Sequence, residues 1–387
     1  MADPADGPLQ AAAPDDVDEL ASLWAGAFPS RGVLERTREL REGLTYGTLA
    51  DCWVVRDGRS RLVAGALRTY RLSLHARGRV WPTMGLAAVA VAPDHRRRGL
   101  GRRMCVHALQ IARERGCVLS ALYPFRTSFY TGLGYAMVGT LLRHRFAPAD
   151  LALYPGWDRV TRARGPGDVR AIYEQAARAS TGLIDRPDAA WRFLTDARVT
   201  AYVHYDPDGR PSGYVVARVQ RARLAERMRI VELVALDGSA YEALLGWIAA
   251  QRDQFTEVVY DALPGERFDR RLRNARRVGS GRPRGLWMDT AALLRGPMLR
   301  LLNPGVVQSD DDAAGFALVD EDLPENTGFW VGGRRQEDDV GGDGCPALGP
   351  GDAAERFLMG TLPGQLSPPE RWHPIPFGEE FRLLDEF

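Results

Sequence analysis

Arginines and glycines at short spacing are the residues of this chain best suited to gripping a polyanion, and they gather in Arg96-Arg-Arg-Gly-Leu-Gly101, followed by Arg102 and Arg103. Forked guanidinium groups match phosphate oxygens. Gly99 and Gly101, without a Cβ, let the backbone approach a ligand. Before the cluster, Met84 to Val91 is an unbroken apolar run that suits a buried strand and stops at Pro93. After it, Met104, Ala108, Ile111 and Ala112 recur at the spacing of one helix face. Strand, loop and helix are expected in that order, with the arginines at the helix N-terminus. The first N–H groups of a helix lack intrahelical partners and the macrodipole puts roughly half a positive charge there, so a pyrophosphate fits that end. A bare run of arginines suits a solvated loop or a nucleic-acid patch equally well. The preceding strand and the glycine offsets favour the anion site.

Arg96-x-x-Gly99-x-Gly101 after a strand ending Val89-Ala90-Val91 resembles the acyl-coenzyme A signature of the GNAT superfamily of N-acetyltransferases. Two further segments narrow the resemblance. Phe125-Arg-Thr-Ser-Phe-Tyr130-Thr-Gly-Leu-Gly-Tyr135 is similar to the Tyr-x-x-Phe/Leu-Gly-Tyr element of Eis-type (enhanced intracellular survival) acetyltransferases, as is Val91-Ala-Pro-Asp-His-Arg-Arg-Arg-Gly-Leu100. The resemblance implies that Val89, Ala90 and Val91 pair through their backbone with the pantetheine arm of acetyl-CoA, much as an added strand would. It implies that Arg96, Arg97, Arg98, Gly99, Leu100, Gly101 and Arg102 cradle the pyrophosphate, with Phe125 and Arg126 beside the cofactor.

Acetyl transfer from a thioester to an amine requires a deprotonated amine, a stabilised tetrahedral intermediate and a protonated leaving thiolate. A phenol with its pKa near ~10 keeps its proton at neutral pH and can donate it. Tyr130 is the candidate acid, and the matching motif strengthens the assignment over a tyrosine packed beneath a sheet. The resemblance further implies that the carboxylate of Phe387, in the ending Asp385-Glu386-Phe387, enters the first domain's site as the base. With a reference pKa of ~3.5 such a group must work through water, on an amine of lowered pKa, or after burial has raised its own. Asp385 and Glu386 would make the acceptor pocket anionic; the resemblance implies that two N-terminal helices wall it, which makes Trp24, Phe28 and Glu35 candidate contacts, the alternative being ordinary core for the aromatics and a solvated face for the acid. A small cationic amine is the expected partner, with aminoglycosides the class the resemblance implies; protein lysines, or a coenzyme A sensor without turnover, are the competing readings. His95 is expected to be a phosphate neighbour or a surface residue. Histidines and thiols show no metal-ligand spacing, so no metal is expected.

The elements that must position these groups are legible in outline. Two amphipathic helices, around Leu20–Phe28 and Arg31–Leu44, precede strands at Cys52–Val55 and Leu62–Leu74. Strands Val118–Tyr123 and Met137–Arg145 are expected to complete the first sheet, and Ala292–Leu302 reads as helix-like. With 387 residues the chain is long for one core. The expected class is α+β: residues 1–12 a disordered tail, 13–150 a catalytic GNAT domain, 151–285 a degenerate GNAT-like repeat, and 286–387 a domain like sterol carrier proteins. The GNAT domains are expected to hold mixed, mostly antiparallel sheets flanked by helices. In the repeat, Leu236-Asp-Gly-Ser stands where the first domain has its arginine loop, so phosphate binding is expected to be absent there. A net charge of +1 gives no general pull toward nucleic acid or membrane. All basic side chains are arginines, and the four cysteines lack paired spacing, as in a reducing compartment. The acidic, proline-rich start has no signal-peptide pattern and no apolar run reaches the roughly 20 residues of a membrane span, so a cytoplasmic protein is expected. The resemblance suggests a homohexamer.

Overall fold

The structure, a computed structural model, describes residues 7–43, 46–76, 78–138, 140–180, 182–195, 198–222, 225–262, 266–273, 290–295, 297–306, 315–331, 334–336 and 347–359. The chain begins with β1 (Gln10–Ala11), then α1 (Val17–Ala27) and α2 (Val33–Glu42). Val17, Leu20, Ala21 and Trp24 put one face of α1 on the sheet. β2 (Cys52–Arg56), β3 (Val63–Ala76) and β4 (Arg79–Val91) form an antiparallel meander. α3 (Leu100–Glu114) follows, burying Met104, Cys105, Ala108, Leu109 and Ala112, and Gly116 beyond its end has a left-handed φ of 77°, as a helix-terminating glycine does. Then come β5 (Leu119–Leu122), the short α4 (Thr127–Thr131) and β6 (Ala136–Met137).

β7 (Thr140–Phe146) leaves this sheet for a second unit built from β8 (Val160–Arg162), α5 (Pro166–Ala179), β9 (Val199–Tyr205), β10 (Pro211–Ala222), β11 (Ala225–Ala235), α6 (Gly238–Ala250) and β12 (Glu257–Ala262). β13 (Thr290–Arg295) joins the second sheet and β14 (Met298–Leu301) returns to the first. The two seven-stranded sheets run β1-β2-β3-β4-β5-β14-β6 and β13-β7-β12-β11-β10-β9-β8. Beyond them, β15 (Gly315–Leu318), β16 (Gly328–Val331), β17 (Arg334–Arg335) and β18 (Ala347–Leu348) make a four-stranded sheet beside α7 (Pro350–Met359).

Three expectations are corrected, the first being the disordered tail over 1–12, since Gln10 and Ala11 form β1 and pair with Val54 and Trp53 of β2. Ala292–Leu302 is a pair of strands: β13 pairs with β7, and β14 lies between β5 and β6. Gly296-Pro297 interrupts the run, and a proline there removes a helix hydrogen bond. Likewise Met137–Arg145 does not close the first sheet; β7 pairs with β12 and β13, and Arg143 locks it there through Asp261, with Nε to Oδ1 at 2.8 Å. Sheet membership therefore crosses the boundaries drawn at 150 and 285, each sheet taking a strand from beyond them. The described C-terminal part is the small sheet and α7; its likeness to sterol carrier proteins rests on the resemblance alone. Among the described residues no helix is long and apolar enough to cross a membrane.

Candidate functional site

The site starts with a fault in the β3–β4 ladder. Ala66 pairs with Ala90 and Arg68 with Ala87, so Leu67 faces both Ala88 and Val89. Two residues against one is a bulge, which bends the strand. Ala88 pays for it with a φ of 50°, a left-handed conformation that an alanine rarely adopts. On the other edge, β4 pairs in parallel with β5 only at Thr83–Leu119, Met84–Ser120 and Gly85–Ala121. Among the described pairings Leu86–Val91 has no strand neighbour on that side, so the sheet opens there. An extended ligand can use the free backbone groups as a strand would.

The opened strand runs into the arginine loop. Pro93–His95 form a single 3-10 turn; Arg97 (φ 63°) and Gly99 (φ 80°) are both left-handed, and α3 begins at Leu100. No side chain caps the helix. The amides of Leu100, Gly101 and Arg102, in its first turn, have no acceptor within the helix. Arg96, Arg97, Arg98 and Gly99 are exposed, and a Cβ added at Gly99 would meet nothing within 4 Å. Arg96 Nε donates to Val91 O at 3.1 Å, tying the loop to the strand end. The position of a Cβ on Gly101 lies 3.7 Å from Val91 and 3.8 Å from Phe129, so strand end, helix start and α4 converge. An open helix N-terminus, exposed guanidinium groups and a free strand edge fit the diphosphate and arm of a coenzyme A thioester.

Tyr130 stands at the back of this junction, 1% exposed. Phe125, Phe129 and Tyr135 surround its ring, with centroids at 5.6, 5.0 and 6.0 Å. Burial pushes its phenol well above the ordinary value, so it is a neutral proton carrier at physiological pH. Tyr135 OH and Ser120 Oγ share a hydrogen bond of 2.6 Å, fixing the neighbouring ring. Gly134, with φ 73°, packs against the Arg300 guanidinium, which any Cβ would strike. Cys105 is also buried beside Tyr130, and burial lifts its thiol to about 12, leaving an inert packing group.

Val89, Ala90, Val91, Arg96 to Gly101, Phe125 and Arg126 thus fall around one junction, Phe125 and Arg126 both exposed. Arg102 is different: its Nη2 is 2.6 Å from Asp322 Oδ1, so it is tied to the C-terminal part rather than pointing free at a ligand. The acceptor-side expectations divide. Trp24 is fully buried and Phe28 is 7% exposed, so neither offers a wall; both belong to the core under α1. Glu35, in the first turn of α2, is exposed and 3.6 Å from Arg31, which precedes the helix. His95 is buried rather than superficial, its Nε2 lying 3.4 Å from Asp94 and 3.7 Å from Asp57. Phe387, Asp385 and Glu386 lie outside the described residues.

No residue pattern in the chain announces Arg300, Asp320 and Asp322. Arg300, 1% exposed, bonds to Leu133 O and to both aspartates, while Asp322 holds Arg102. One buried cluster therefore braces the α3 N-terminus against the turn after Tyr130, using residues far away in the chain. In the second unit the equivalent helix is closed: Asp237 caps α6, its Oδ1 accepting from Ala240 N at 2.8 Å. A carboxylate already sits where an anion would bind, which accounts for the loss expected from Leu236-Asp-Gly-Ser.

Comparison with known proteins meets this geometry at both units. Residues 9–138 and 182–301 each match an acetyltransferase (GNAT) domain. The chain is a tandem GNAT-fold protein. N-acetyltransferase Eis from Mycobacterium tuberculosis and from Mycobacterium bovis are 32% identical to it over 264 residues, 61% of this chain and 62% of their own length. Among solved structures, Eis1 from Mycobacterium abscessus superposes with a TM-score of 0.70 at 20% identity, covering 92% of this chain and 90% of that one. A GCN5-related N-acetyltransferase from Anabaena variabilis gives 0.70 at 21% identity, covering 85% and 84%. The two matched stretches place the chain in the GNAT superfamily, and it spans a little under two thirds of the length of the Eis N-acetyltransferases it is similar to.

Proposed function

We propose that this protein is an acetyl-CoA-dependent N-acetyltransferase whose first unit acts on amines of small cationic molecules, aminoglycosides among them. The observation that carries the reading is the unpaired edge of β4 leading into an uncapped helix N-terminus, with Tyr130 packed beside both. Acetyl-CoA, when bound, supplies an acyl group already activated as a thioester. The backbone of Val89–Val91 holds the arm, and the first amides of α3 with Arg96, Arg97 and Arg98 hold the diphosphate. As the amine forms its bond to the acyl carbon and the C–S bond breaks, Tyr130 Oη passes its proton to the leaving sulfur. The proton lost by the amine goes, on the resemblance to Eis-type enzymes, through water to the Phe387 carboxylate. The acidic ending Asp385-Glu386-Phe387, which on the resemblance enters this site, favours a cationic acceptor.

The test is release of coenzyme A thiol on mixing the protein with acetyl-CoA and a polyamine such as kanamycin, with acetylated product identified by mass spectrometry. Turnover with product is expected. Tight acetyl-CoA binding without thiol release for several diverse amines would make the chain a coenzyme A sensor, and transfer confined to lysine peptides would move the substrate to proteins.

A further inference from the structure

We infer that Trp24 is a positioning residue: its indole N–H pins the strained bulge that splays β4 open. Trp24 Nε1 donates to Ala88 O at 2.7 Å, and the side chain is fully buried. Ala88 is the bulge residue with the left-handed φ of 50°, and it has no partner in the β3 ladder. A half-buried carbonyl outside its ladder is better satisfied by a donor, and the indole is one that can only donate. The ring is itself held. The Arg68 guanidinium lies 4.2 Å over it, and Arg68 Nη1 is 3.2 Å from Glu39 Oε1 on α2. A cation on the aromatic face fixes the indole and draws electron density from it, which strengthens the N–H as a donor.

Ala88 immediately precedes Val89–Val91. Were the indole N–H absent, the alanine would relax toward regular pairing and carry that edge toward β5, narrowing the opening. The aromatic that the sequence places on an acceptor wall would instead act through the strand, setting the geometry of the acyl-donor edge without touching substrate. This rests on the reading of that edge as the thioester site, and the test separates the two.

Trp24→Phe keeps an aromatic ring, smaller than the indole, and removes the donor. Expected are faster hydrogen exchange of the amides around Ala88 in the free protein, and an acetyl-CoA Kd raised about tenfold, the factor that one ordinary hydrogen bond represents. Adding Ala88→Gly to that variant should restore most of both, because glycine holds a left-handed φ without a pin. A role in core packing alone gives no such rescue. Unchanged exchange in Trp24→Phe, or lost affinity that Ala88→Gly does not recover, overturns the inference. Absence of acetyl-CoA binding by the unmodified protein tells against the proposed function, while the exchange measurement still decides the pin.

Discussion

Tyr130→Phe isolates the proposed acid because the structure lets one oxygen be removed with little else. The ring is enclosed by Phe125, Phe129 and Tyr135 at 5.0–6.0 Å, contacts that phenylalanine keeps. Stability should therefore change by less than about 1 kcal/mol. A positioned general acid contributes about 10²- to 10⁴-fold, which is roughly 2.7–5.5 kcal/mol of barrier. Burial raises the phenol well above its ordinary value. The folded state thus holds this proton more tightly than the unfolded chain does. The associated stability is complete below the unfolded pKa near ~10 and is lost as pH rises through the higher folded value. Activity should likewise not lose its proton donor below pH ~10. The assay is steady-state thiol release from pH 6 to 10, with acetyl-CoA affinity and thermal midpoint measured on the same samples. A kcat within about threefold of the parent at unchanged midpoint would refute the acid role, and so would a loss of rate that merely tracks unfolding.

Replacing Arg96, Arg97 and Arg98 together by alanine should raise the Kd for acetyl-CoA by about 10- to 100-fold and flatten its dependence on salt, since each exposed guanidinium is a screened contact to phosphate; calorimetry at two ionic strengths checks it. Asp261 is drawn down to about 2: desolvation opposes the shift, and hydrogen bonds from Arg143 and Arg229 outweigh it. Its folded pKa lies below the ordinary carboxylate value, so its contribution, about 2 kcal/mol, is present above pH ~4 and lost as pH falls toward 2. Asp261→Asn should cost that much in urea unfolding at pH 7, with the gap from the parent closing in acid; an equal gap at pH 2 would dismiss the ion-pair account. Asp237→Ala should cost about 1 kcal/mol as a lost helix cap while leaving acetyl transfer by the first unit unaltered, as thermal melts and thiol release will report.

What could be read from the chain alone followed from how local each signal is. The arginine loop is legible because its residue types, their offsets and the change of hydrophobic period lie within one short segment. The opening beside it is not, since the bulge falls on Ala88, a residue with no preference for a left-handed φ, and is secured by an indole distant in sequence. Trp24 shows the same limit from the other side. An aromatic on the apolar face of a helix looks alike whether that face meets substrate or a β-bulge. Sheet membership was similarly hidden, because β7 and β14 are short strands whose places are chosen by partners on the other side of the boundary. Arg143 finds Asp261 and Arg300 finds Asp320, pairings that no spacing in the sequence announces.

The two units share a scaffold and differ in what occupies it, so the scaffold alone does not make a site. β10 and β11 slip register between Val216 and Ala217, and β11 meets β12 only at Arg227, Met228 and Arg229, so this sheet also carries a bulge and a splayed strand. A buried ion pair is packed on the face of the same sheet, under α5. Arg186 reaches Glu232, on the stretch of β11 past its last pairing with β12, through bonds of 2.6 and 3.1 Å, and both side chains are under 5% exposed. Tyr173 stacks on the same guanidinium at 4.1 Å. Uncapping α6 would expose its first amides, yet α6 would still lack the arginine loop that precedes α3. The Asp237 carboxylate stands between the second unit and a phosphate, whereas in the first unit Gly99 holds the corresponding N-cap position and, among the described pairings, the edge from Leu86 to Val91 stays open.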